Sequence, residues 1–353
     1  MVEAMRRHVG LGLIAMLASC AAFGTSGPFA KSLMTAGWSP GAVVLIRIAG
    51  AALVLAPFGL WSMRGRWGTL RSELPLAAFY GTLAVAAAQL GYFQAVSRMP
   101  VGVALLIEYL GIIIVVLWVW ALTRRAPHRL TGVGIVLALA GLALVLDVTG
   151  QSTPSLVGVL WGLLAAVGLA GHYVLAGRPT ALPAGAVAGV GAEDHPALAA
   201  AGLAGHYGLA GRPTALPAVA FAGVGLTSGA VVLALAGLIG VLPMEAGAST
   251  VVIAGTSAPA WVAFAELVLI AAALAYVLGI LGARHLGSTL ASFVGLTEVI
   301  FAVAFAWVLL GELPGLIQLV GGLVLLSGVV AVRLGERDEA RAASHTTTHA
   351  GTP

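Results

Sequence analysis

Charge is scarce in this chain. Asp, Glu, Lys and Arg make up only 8% of its 353 residues, where a soluble globular protein carries about a quarter. Hydrophobic residues reach 60% and mean hydropathy is +1.05, so the chain reads as an all-α integral membrane protein. A single cysteine excludes a disulfide framework and a cysteine-based zinc site. Phosphate-binding GxxxxGK[ST] loops and HExxH metal motifs are missing, which leaves ATP-driven pumping and metalloprotease chemistry without support. Gly132-Val133-Gly134 and Gly223-Val224-Gly225 lack the third glycine of a dinucleotide fingerprint. No enzyme activity, cofactor or metal is therefore expected. Basic residues do not cluster with interleaved aromatics, so the pI of about 9.6 implies no nucleic-acid partner.

Long apolar runs fill the space that charge leaves empty. Runs of about 20 residues, each able to cross a hydrocarbon core of ~30 Å, lie near 9–30, 41–63, 74–96, 101–122, 130–148, 155–176, 218–242, 261–281, 289–310 and 314–333. Outer-membrane strands would instead alternate apolar and polar residues, and that pattern is absent. Ten crossings with both termini in the cytoplasm put 14 of the 17 Lys and Arg residues on the inner side. Lys31 and Arg98 fall outside, and Arg47 lies within the second run. Leu17-Ala18-Ser19-Cys20, after Arg6-Arg7, looks like a lipoprotein cleavage box. It reads better as a small-residue stretch of the first crossing, because apolar character continues past Cys20.

Two halves of five helices each, 1–150 and 151–335, meet near Thr149–Pro154. An odd number of helices per half inverts the second half, and in such transporters the site lies near the midplane between the halves. Tyr92, Arg98 and Glu108 follow one another in the first half much as Tyr276, Arg284 and Glu298 do in the second. Trp118 and Trp307 come ten and nine residues after their glutamates. A sharper repeat matches 164–191 to 198–225, with 24 of 28 positions identical at an offset of 34 residues. The stretch Ala197–Ala210, between Pro196 and Pro213, is too short to cross. The duplication is therefore expected to enlarge a cytoplasmic loop over 177–217, and residues 336–353 to form a disordered polar tail.

Two glutamates stand inside this apolar background. Glu108 lies in VGVALLIEYLG and Glu298 in VGLTEVIFAV. A carboxylate near the bilayer centre costs roughly 2.5–3.5 kcal/mol, so both are candidate groups for titrating protons or coordinating a cation. The bland alternative is a glutamate that hydrogen-bonds backbone at a helix break. Arg47 can pair with a substrate carboxylate, neutralise a glutamate or snorkel to the outer surface. Gln89, Tyr92 and Gln94 cluster on the third helix, with Tyr276 as their counterpart, either to orient a solute or to join helices. Glu266 reads as interfacial. His172 and Tyr173 recur as His206 and Tyr207, so packing is the first reading for them.

GTSGPFAKSL with AGWSPGAVVLIRIAGAAL, GYFQAVSRMPVGVALLIEYL, and LASFVGLTEVIFAVAFAWVLLGELPGLIQLVGG resemble the EamA-type transporters of the drug/metabolite transporter superfamily. Where the acidic LGE element would follow the fourth helix, the first half has LTRRAPHRL, so Glu312 has no first-half equivalent. The resemblance implies ten transmembrane helices as two inverted five-helix repeats. It further implies export of a small amino-acid-like or drug-like metabolite, often in exchange for protons. Together these features lead to the expectation of a plasma-membrane secondary transporter. Its partners would be a small solute, a proton or counter-solute and the lipid bilayer, with a homodimer left open. The candidate site residues are Glu298, Glu108, Arg47, Tyr92, Gln89 and Tyr276. A lipid flippase on the same scaffold, or a non-transporting membrane scaffold or enzyme subunit, are the rival readings.

Overall fold

Ser39 and Pro40 set where the second helix must begin. The Ser39 hydroxyl accepts the Ala42 N–H at 3.3 Å, and Pro40 needs no N–H at the first helical position. The computed structural model describes residues 2–64, 67–111, 113–114, 129–145, 155–176, 216–312 and 314–349. In chain order these hold α1 (Val2–Thr35), α2 (Pro40–Ser62), α3 (Trp67–Val96), α4 (Val101–Glu108) and α5 (Arg129–Val145). The second half holds α6 (Leu156–Ala176), α7 (Ala218–Leu238), α8 (260–295), α9 (Thr297–Leu310) and α10 (Leu316–His349). Five stretches among the described residues are long and apolar enough to cross a membrane: Gly10–Thr35, Pro40–Ser62, Trp67–Val96, Ala218–Leu238 and Ala260–Leu286. Shorter apolar helices cover Arg129–Leu144, Leu156–His172, Thr297–Leu310 and Leu319–Val332.

Packing relates the two halves. Helix α1 packs on α8 and α9, and α6 packs on α3 and α4. Helix α2 meets α7, α5 meets α10, and α4 meets α9. Replacing each helix by the one five places later returns the same set of pairs. The likeness extends to local geometry. Helix α3 changes to π geometry over Gly81–Ala87 and α8 over Leu269–Leu274. At the first of these, a Cβ on Gly81 would collide with Gly225 and Ser228 of α7; at the second, Val268 sits against Gly50 of α2. Small residues allow such approaches, since lipid offers no hydrophobic drive between helices. The outward faces stay apolar: Leu53, Trp61, Leu156, Trp261 and Leu316 are all largely exposed, as lipid-facing side chains would be.

Between α7 and α8, where the sequence shows no long apolar run, the chain forms a hairpin. Strands β1 (Thr250–Ile253) and β2 (Thr256–Pro259) pair antiparallel. Ala254 and Gly255 turn between them at φ 50° and 74°, the positive values that a two-residue hairpin turn requires. The hairpin region and the loop before it tie one end of the halves together. Ala254 N–H bonds Leu309 O, Ala248 N–H bonds Ala36 O, and the Ser39 hydroxyl donates to Pro243 O at 2.8 Å.

The remaining differences lie at the chain's far ends. Helix α10 continues to His349, through residues read as an unstructured tail. Glu336-Arg337-Asp338-Glu339-Ala340-Arg341-Ala342-Ala343 is rich in strong helix formers, and an existing helix extends far more readily than one starts. The junction near Thr149–Pro154, Trp118, Trp120 and nearly all of the 177–217 loop lie outside the described residues.

Candidate functional site

The fourth helix of each half breaks where its glutamate stands. Helix α4 ends at Glu108 with a turn at Tyr109–Leu110, and α9 begins at Thr297 after a one-residue turn at Leu296. Glu108 therefore closes the segment before its break, while Glu298 lies in the first turn after its own. The two breaks touch: the Tyr109 hydroxyl donates to Gly295 O and reaches Glu298 Oε2 at 3.3 Å. Sequence reading placed the two glutamates in corresponding helices but offered no signal for Tyr109 as the link.

Both carboxylates line one cavity of about 40 Å³, room for two or three water-sized groups. Its walls come from α1, α3, α4, α6, α8 and α9, three helices from each half related by the five-helix exchange. Gln89 and Tyr276 are in the wall, each two residues past the end of a π segment. Tyr92 is buried but stands off the cavity, its hydroxyl packed where a side chain on Gly27 would be. Gln94 is engaged elsewhere, accepting from Arg98 Nη1 at 2.5 Å. Cys20, Phe23 and His172 also line the cavity; the sequence had read Cys20 as part of a small-residue stretch and His172 as packing. His172 is held by the Tyr80 hydroxyl, 2.9 Å from Nδ1.

Arg47 is fully buried, which rules out snorkelling to the surface. It donates through Nη1 to Gln89 Oε1 and through Nη2 to Ala271 O, with its guanidinium 5.3 Å from the Phe93 ring centre. The π segment explains the second bond. Ala275 N–H bonds Ala272 O and Ile270 O, not Ala271 O as α-helical geometry would have it. The Ala271 carbonyl is thereby available to a cation. Gln89 Nε2 then donates to the Tyr276 hydroxyl at 3.3 Å, so a chain of hydrogen bonds runs from Arg47 to the cavity wall. Glu266 is half-buried against α1, where it accepts from Thr25, and is less interfacial than its sequence position suggested.

A second polar cluster closes the end that carries the hairpin. Lys31 pairs with Glu312 and donates to Met99 O at 3.3 Å. Glu312 Oε2 also accepts the Val101 N–H at 3.2 Å, capping α4, whose preceding Pro100 offers no side-chain acceptor. Gly311 directs the carboxylate there by adopting φ 71° after α9, a conformation costly for other residues. Glu312 has no counterpart in the first half, yet its partners Lys31 and Val101 both belong to that half.

The exchange-related helices, their lipid-like outer faces and the polar cavity between them define a polytopic membrane protein of two like halves. The chain belongs to the EamA-like transporter family, which matches residues 10–147 and 196–334. It is thus a membrane transporter of the drug/metabolite transporter superfamily. The second match starts just before the second copy of the duplicated block, whereas α6 carries the first copy and its His172. Twelve chains of solved structures are similar. One, described only as a crystal structure of a protein, is 18% identical with a TM-score of 0.55, covering 92% of this chain and 98% of its own; it shares the fold. No curated protein matches the chain.

Proposed function

We propose that the protein is a plasma-membrane secondary transporter that exports a small metabolite by alternating access, coupled to protons. Ten crossings in two inverted halves, with both termini cytoplasmic, give the halves opposite orientations around one central site. The observation that carries this reading is the pair of glutamates, one from each half, in a cavity walled equally by both. In such a scheme Glu298 and Glu108 carry protons or solute, and Gln89 and Tyr276 orient the solute. The helix breaks at Tyr109–Leu110 and Leu296 serve as the flexible points. Outward opening requires parting the Lys31–Glu312 pair and the hairpin contacts, while inward opening leaves them closed.

Reconstitution into proteoliposomes with an imposed proton gradient tests the proposal. Metabolite profiles of medium and cells, with and without the protein, supply the solute to assay. Gradient-driven flux of that solute is expected from the natural protein and is expected to vanish in Glu298→Gln, with the variant still folded. Undiminished flux from Glu298→Gln overturns the coupling role. Absence of any solute flux, with lipid scrambling in its place, favours the flippase.

A further inference from the structure

The charges around the cavity do not balance. Two carboxylates, Glu108 and Glu298, face it, and Arg47 is the cation that acts on both. Arg47 makes no hydrogen bond to either: Nη1 is held by Gln89, Nη2 by the Ala271 carbonyl, and the buried Nε has no partner among the described residues. Glu266 also acts on Arg47, which deepens the deficit of positive charge. The Lys31–Glu312 pair is neutral in itself and belongs to the hairpin end.

Glu298 has the Tyr109 hydroxyl as a partner. Glu108 differs. It is 93% buried, since 7% of its surface remains exposed, it lines the cavity, and no hydrogen-bond or ion-pair partner meets it among the described residues. An uncompensated buried carboxylate is strongly unfavourable, so Glu108 is satisfied either by a proton or by a cation with protons to donate. The Phe23 and Tyr276 rings also line the cavity and pack edge to face, their centres 5.0 Å apart.

We propose that the cavity selects solutes by a primary ammonium group, bound at Glu108 with Glu298 beside it, and that protons compete for the same place. This rests on the reading of the cavity as the transport site and narrows its solutes to amines and to amphipathic compounds bearing an amine. Arg47 is a positioning residue that holds Gln89 and the π segment, not a receptor for a solute carboxylate. The groups around Glu108 are Cys20, His172, Tyr276 and Glu298 at the cavity, with Tyr92 and Arg47 acting on it from behind the wall.

Calorimetric titration of the purified full-length protein with ethylammonium, propionate and propanol tests the selectivity. Ethylammonium is expected to bind saturably, to weaken on acidification and to weaken at least tenfold in Glu108→Gln. Saturable propionate binding with a silent ethylammonium titration overturns the proposal, and so does ethylammonium binding that Glu108→Gln leaves unchanged. Should that variant not fold, the natural protein still decides. Labelling of Glu108 by a hydrophobic carbodiimide, located by peptide mass spectrometry, is expected to slow in ethylammonium but not in propionate. Equal labelling in both overturns it. If ethylammonium binds but no solute crosses in proteoliposomes, the transport reading fails and this inference stands. If a carboxylate solute is transported without ammonium binding, the reverse holds.

Discussion

Lys31 and Glu312 form an ion pair that joins the first helix of one half to the loop closing the fourth helix of the other. Because Glu312 also caps α4 through Val101, one carboxylate holds together two first-half elements. Removing it leaves the Val101 N–H without its acceptor and Lys31 with Met99 O alone, a loss of roughly 1–3 kcal/mol. Cys20 is the chain's single cysteine and is buried in the cavity, so it reports opening. Glu312→Ala is expected to speed its labelling by an externally added, membrane-impermeant thiol reagent about tenfold or more. The swap Lys31→Glu with Glu312→Lys should recover part of the protection, and unchanged labelling in Glu312→Ala would mean the pair does not close that end.

Tyr109 bridges the two helix breaks, which makes its hydroxyl more important than its ring. Tyr109→Phe keeps the packing and removes the bonds to Gly295 O and Glu298. A stability loss of about 1–2 kcal/mol is expected in thermal unfolding. Transport should fall by more than that loss explains, since the partner of Glu298 goes with it.

Arg47 is held by the Ala271 carbonyl of the α8 π segment, which the Ala275 N–H leaves to it. Arg47→Met leaves Gln89 and Ala271 O without their donor and removes the cation that offsets the glutamates. Destabilisation of roughly 1–3 kcal/mol follows, as for leaving buried polar groups unpaired. Arg47→Lys should recover part of it, because one ammonium cannot span both acceptors as the planar fork does. Thermal unfolding in detergent compares the three proteins.

Ala254 holds φ 50° at the tip of the hairpin, a left-handed conformation costing an alanine roughly 1–2 kcal/mol. Ala254→Gly relieves that strain while keeping the N–H that bonds Leu309 O, and the thermal midpoint should rise or hold. Ala254→Val should lower it.

Gly177-Arg178-Pro179-Thr180 and Gly211-Arg212-Pro213-Thr214 are identical. Deleting 177–210 therefore removes one period of the duplication and leaves Ala176 followed by the same four residues. The shortened protein is expected to fold and transport like the full chain, checked by size-exclusion profile and flux. A topology reporter placed at Ala192 of the full chain should read cytoplasmic.

Much of this architecture is legible in the composition. Run length and the scarcity of charge point to membrane helices, because a bilayer tolerates little else. The Glu108 and Glu298 segments stand out for the same reason, since an isolated carboxylate is conspicuous against leucine, valine and alanine. Gln89 and Tyr276 were reachable as polar residues on matching helices. Tyr109, Cys20 and His172 were not, because aromatic, thiol and imidazole groups in an apolar run are compatible with simple packing. The hairpin also escaped: its strands are four residues each, and its turn uses an alanine where glycine or asparagine would signal one.

Helix, membrane and repeat follow from amino-acid order alone, since each depends on local hydrophobicity and spacing. Which partner each charge meets depended on tertiary contact. The five-helix exchange brings Glu108 and Glu298 into one space, the π segment of α8 offers the carbonyl that occupies Arg47, and the turn at Gly311 sends Glu312 across to the other half. Electrostatics acts over a few ångströms between residues up to some 280 positions apart in the chain, and only the packed helices bring those ångströms about.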